Sequence, residues 1–194
     1  MAKDLRIAAV ALIVYGVLFF PFVILTWAKI AADGGLGDDV TFSMPSWLVV
    51  LFHVLVVVTL VVNILWIRGF ILLGRHFENR LLVVSSYLLI IAIALFTVLQ
   101  WIPLDSPFVF LIAIVFNGIV LIPFGIGILP LQKEFGGIAT AYGVMLIAEG
   151  ACLVQIIPAF LQMFLEIPTV VLGVIVLFKA VRLFQQTDLP ATDN

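Results

Sequence analysis

Charge is what this sequence has least of. Nine Lys or Arg and eleven Asp or Glu among 194 residues make it only 10% charged, while 65% is hydrophobic. A soluble domain carries about a quarter of its residues as charges, so a water-facing surface cannot be assembled from this inventory. Intrinsic disorder is excluded by the same balance, because it needs low hydrophobicity and high charge. The net charge of −2 leaves no basic face for nucleic acid. Cysteine is nearly absent too: Cys152 alone allows neither an intramolecular disulfide nor a cysteine-based zinc site. The two histidines, His53 and His76, are too far apart for a metal-binding pair. No GxSxG, P-loop or HExxH occurs, so no catalytic residue, metal or cofactor is implied.

What remains is long apolar runs. Charged residues are missing from 7–28, 40–67, 81–104 and 106–132. Each run exceeds the roughly 20 residues that an α-helix needs to cross about 30 Å of hydrocarbon. Residues 135–184 form a further stretch interrupted only by Glu149, Glu166, Lys179 and Arg182. One helix of that length would be far too long for a bilayer, so two are expected, with Pro158, Gln162, Glu166 and Pro168 marking the turn region. The runs are continuous rather than alternating, which excludes barrel strands. The reading is a single all-α domain over 1–194, a polytopic transmembrane helix bundle with six spans near 6–30, 47–72, 81–103, 107–131, 137–161 and 165–184. The first span follows Lys3 and Arg6 as a signal peptide would, but its 22 uncharged residues exceed a signal core and make it a retained helix.

Charge sorting sets the expected orientation. With six spans both termini share a side, and that side collects Lys3, Arg6, Arg68, Arg75, Arg80, Lys133, Lys179 and Arg182. The other side has Lys29 with Asp33, Asp38, Asp39, Asp105 and Glu166. The positive-inside bias then makes both termini cytoplasmic. Trp27, Trp47 and Trp101 fall at interfaces, where indoles suit the headgroup zone. Arg75, His76 and Arg80, within the connection Gly74–Arg80, are candidates for contact with lipid headgroups, beside the plain role of fixing topology.

The few polar groups inside the spans are the candidate site. Glu149 falls at the middle of the fifth span, Asn117 at the middle of the fourth, Thr59 and Asn63 about the middle of the second. Tyr15 reaches the same level in the first, and at 1.5 Å per residue these groups share a depth to within roughly 5 Å. A carboxylate at the bilayer centre costs several kcal/mol, so Glu149 is expected to face the bundle. Two readings stand: a titrating or ligand-binding group in a central cavity, or a neutral acid bonded to Asn117, Asn63 or Tyr15 that ties helices together. With Glu149 as the single acid in the spans, no paired catalytic groups are in view and an enzyme is disfavoured. His53, two turns into the second span, reads as a packing residue.

Small residues form a second pattern. Gly136, Gly143 and Gly150 repeat at seven in the fifth span, Gly118 and Gly125 at seven in the fourth, so these two helices are expected to approach closely. The segment IPFGIGILP (Ile122–Pro130) is expected to kink or unwind the fourth helix.

The stretch Asn117–Val154, with Pro123-Phe124-Gly125, Leu129-Pro130-Leu131, Lys133, Phe135 and Gly136-Gly137, resembles the later part of the bacterial domain-of-unknown-function 4386 family. The earlier HVLVVVTLVVNILWIRGF and ENRLLVVSSYLLIIAIAL resemble that family's middle helices. Gln132-Lys133-Glu134 stands where the family has Tyr-Arg. The resemblance implies a multi-helix bacterial membrane protein without an assigned activity.

Three functional readings follow. The first is a non-enzymatic accessory or interaction protein of the bilayer, whose partners are membrane lipid and a second copy or another membrane protein. The alternative is a small carrier or channel-like protein that binds an apolar or amphipathic molecule at the midplane around Glu149. The third is a lipid-modifying enzyme that uses the Gly74–Arg80 connection.

Overall fold

The computed structural model describes residues 1–32, 44–101, 107–155 and 159–187. The chain forms helices α1 (Ala2–Ala32), α2 (Ser46–His76), α3 (Arg80–Leu99) and α4 (Pro107–Ile128), a 3-10 turn (Leu129–Leu131), and helices α5 (Gln132–Phe135), α6 (Gly137–Val154) and α7 (Ala159–Thr187). No strand occurs among the described residues. Six helical segments are long and apolar enough to cross a membrane, with α4 and α5 counted as one. The apolar runs form helices because a helix satisfies every backbone group within itself, which a bilayer demands.

The six long helices form a closed ring in chain order. Each packs chiefly on its chain neighbours, α6 on α4, and α1 closes onto α7. Neighbours run antiparallel, as Phe22 against Phe52 and Tyr15 against Trp66 show for α1 and α2. The start of α1 and the end of α7 therefore lie at one end of the ring. Of the nine basic residues, only Lys29 in the last turn of α1 sits at the other end. The outer faces are apolar and bare: Val17 is 70% exposed, Ile24 62% and Ile112 63%. Water would not tolerate such a surface on a monomer, whereas lipid tails match it.

Local chemistry explains where the helices break. Between α2 and α3, Glu78 adopts φ 51° and the Asn79 amide N–H bonds back to Gly74 O at 2.7 Å. The Asn79 side chain caps α3 by accepting from Leu82 N at 3.0 Å, and donates to Gly127 O on α4 at 2.6 Å. Gly136, at φ +72°, separates α5 from α6 in the left-handed region that glycine enters without steric cost. The disturbance expected at Ile122–Pro130 falls at the end of that segment: α4 continues through Pro123, and the chain tightens into a 3-10 turn at Leu129–Leu131, which holds Pro130.

The last two spans differ from expectation. α6 ends at Val154 rather than near 161, and α7 begins at Ala159. Gln162, Glu166 and Pro168 are not turn residues but lie inside α7, where Glu166 is buried. A proline within a helix removes one backbone bond, which the helix absorbs without ending, and the acid is accommodated because it faces other polar groups. Asp33, Asp38, Asp39, Asp105 and Pro158 lie outside the described residues.

Close packing joins α4 to α6. Gly118 faces Gly150 and Gly125 faces Gly143, each so near that an added Cβ would stand 2.7–2.8 Å from the opposite carbonyl oxygen. The two heptad-spaced stripes thus meet face to face, running in opposite directions.

Candidate functional site

Inside the ring, in the half away from the termini, lies a cavity of about 250 Å³ lined by side chains from all six long helices. Its floor is aromatic. Trp66 and Phe70 of α2 and Phe124 of α4 pack edge-to-face at 5.5–5.9 Å, and Tyr142 of α6 lies 5.5 Å from Phe70. All four are buried, so they fill the centre toward the termini and leave the other half open.

The five midplane residues expected from the sequence, Tyr15, Thr59, Asn63, Asn117 and Glu149, all line this cavity. Their helical spacing brings them there: Thr59, Asn63, Asn117 and Glu149 lie three or seven residues from a floor residue on the same helix, and Tyr15 lies 6.4 Å from Trp66. The hydrogen bonds are not the expected ones. Asn63 donates to Thr59 O on its own helix at 2.8 Å and accepts from the Trp66 indole at 2.9 Å. Asn117 donates to Ala113 O at 2.9 Å. Glu149, 3% exposed, is bonded instead by the Thr169 hydroxyl of α7.

A second carboxyl corrects the single-acid picture. Glu166 of α7 lines the same cavity, three residues before the Thr169 that bonds Glu149. Tyr15 of α1 lines the same cavity. Thr169 and Glu149 therefore tie α7 to α6, with Glu166 and Tyr15 lining the same cavity. The Thr169 hydroxyl also lies 2.8 Å from Leu165 O. A hydroxyl has one proton; when it goes to Leu165, the bond to Glu149 uses the carboxyl's own proton.

Glu166, Thr169, Trp66 and Tyr142 were not among the expected site residues. Glu166 was concealed by its neighbour Pro168, which made the segment read as a turn. A signal was present in the three-residue offset from Glu166 to Thr169, which places both on one helical face.

At the terminal end, Arg75 donates to the Tyr87 hydroxyl at 2.6 Å, and His76 packs edge-on against Phe77 and Phe184 at 4.9 and 4.6 Å. Arg80 opens α3 and is exposed, as are Arg75 and His76. The Nδ1 of His53 is 2.7 Å from Val49 O on its own helix, and its ring lies 4.5 Å from that of Trp101. Among the described residues no group of three or more His, Cys, Asp or Glu could hold a metal.

No family model, curated protein or solved structure matches the chain. The resemblance to the domain-of-unknown-function 4386 family rests on the residues quoted for it.

Proposed function

We propose that this chain is a small membrane-embedded binding protein, of carrier type, whose central cavity takes one small apolar or amphipathic molecule. The observation that carries the reading is the cavity of about 250 Å³ edged by two carboxyls, two tyrosines, two amides and four threonines, within a ring whose outer faces are apolar. An accessory protein held together by packing alone is expected to fill its interior, since each void forfeits contacts. Polar groups in a bilayer are costly to maintain, and grouping them around open space fits a ligand better than helix glue. The charge sorting supports an inner-membrane location with both termini cytoplasmic, so the cavity occupies the outer half of the membrane.

Calorimetry on the purified chain in phosphatidylcholine nanodiscs tests the reading, with 4-phenylbutylamine, 4-phenylbutan-1-ol and 4-phenylbutyrate as probes. At least one is expected to bind saturably, one per chain. Leu60→Trp, which places an indole in the cavity wall, is expected to abolish that binding while the chain still elutes as wild type. Failure of all three probes to bind saturably would sink the proposal.

A further inference from the structure

We propose that the cavity is a site for a small hydrophobic amine in its cationic form, held by Glu149 and Glu166 in exchange for a proton. The inference rests on the binding-protein reading above and names its ligand class.

The sign of charge is the first argument. Glu149 comes from α6 and Glu166 from α7, and among the described residues no Lys, Arg or His lines the cavity. The other titratable groups facing the pair are Tyr15 from α1 and Tyr142 from α6; α2, α3 and α4 supply only neutral amides, hydroxyls, an indole and apolar groups. Two neighbouring carboxyls in such surroundings need protons or a cation to balance them. An anionic ligand would find no cationic partner here.

Thr59 supplies a second, independent argument. It is 7% exposed, it lines the cavity, and its Oγ1 has no hydrogen-bond partner among the described residues. Thr26, Thr97 and Thr169, all within helices, each donate to the carbonyl four residues back. Thr59 does not, and neither does Thr140 of α6, but of the two only Thr59 lines the cavity, where its oxygen stays available to accept from an ammonium N–H.

The walls give the third. Phe19, Phe22, Phe96 and Trp66 line the same space, and aromatic faces attract cations as well as apolar stems. The volume lies just under the ~300–1,000 Å³ usual for small-molecule pockets, which limits the ligand to about one ring and a short chain.

The exchange balances. A protonated carboxyl and an entering R–NH₃⁺ become a carboxylate–ammonium pair plus one released H⁺, and the charge of the cavity is unchanged. Protons and the amine therefore compete for the same oxygens.

The same three probes discriminate. At pH 8, 4-phenylbutylamine is expected to bind at least tenfold more tightly than 4-phenylbutan-1-ol or 4-phenylbutyrate. Its affinity is expected to fall at least tenfold at pH 5.5, although the amine itself stays charged throughout this range. Glu149→Gln and Glu166→Gln are each expected to weaken it at least tenfold, and Thr59→Val about threefold, with the alcohol unaffected. If the Gln variants do not fold, the pH dependence of the wild type and the Thr59→Val effect decide. Equal binding of alcohol and amine, or amine binding indifferent to pH, overturns the cation proposal and leaves the binding cavity standing. Absence of binding by every probe overturns both.

Discussion

The Thr169 hydroxyl on α7 is hydrogen-bonded to the Glu149 carboxyl on α6, both side chains being almost wholly buried. This bond crosses between helices at the depth where the bundle can least afford an unpaired polar group. In Thr169→Val the shape is kept and the hydroxyl lost. The variant is expected to lose about 0.6–1.7 kcal/mol, the range that interhelical hydrogen bonds show in membrane bundles. A double-mutant cycle with Glu149→Gln, read by unfolding in mixed micelles, is expected to give non-additive losses. Strict additivity would mean that the two side chains do not stabilise each other.

The sequence made the bundle legible and the site only partly so. Uncharged runs longer than a bilayer is thick admit little besides helices, which is why six appeared. Tyr15, Thr59, Asn63, Asn117 and Glu149 could be placed at one depth by counting residues, because helical rise is fixed. Which of them bond to which was hidden, since depth says nothing of rotation about the helix axis. Asn63 and Asn117 turned to their own helices for partners, and Glu149 found one on α7. Glu166 was misplaced because a proline two residues on is a turn signal in water. In a bundle, neighbouring helices can hold the chain helical through it.

Asn79 is the joint between α2, α3 and α4. Its Oδ1 caps the first turn of α3 and its amide N–H bonds to Gly127 O. Asn79→Ala removes both and leaves a carbonyl and an amide at the end of two helices without these partners. The expected loss is about 1–2 kcal/mol. Asn79→Asp retains the cap but not the donor, and is expected to fall between. Thermal unfolding of the two variants in one detergent checks the order; an alanine variant as stable as wild type would count against the joint.

The proposed orientation has a labelling consequence. In a Cys152→Ser background, Trp47→Cys near the start of α2 and Glu134→Cys in α5 sit at opposite ends of the ring. A membrane-impermeant maleimide added to intact cells is expected to label Cys at 47 and to miss 134, which should react only after permeabilisation. The reverse pattern would mean that the basic end faces outward, against the positive-inside bias.

The α4–α6 seam offers the sharpest stability test because its tolerance is set by backbone. At Gly118, Gly125, Gly143 and Gly150 a methyl group would meet a carbonyl oxygen of the facing helix at 2.7–2.8 Å, and backbone cannot swing aside as a side chain can. Gly125→Ala or Gly150→Ala must push the helices apart and forfeit contacts along the seam. A loss of about 1–3 kcal/mol each is expected, as for overpacked cores. Gly137 opens the same helix α6, has ordinary φ and has nothing within 4 Å of the added carbon, so Gly137→Ala is the control. It is expected to be neutral, or to stabilise by up to about 1 kcal/mol through the unfolded chain. If all three substitutions cost the same, the seam is not limited by backbone approach, and the paired heptads of glycine need another explanation.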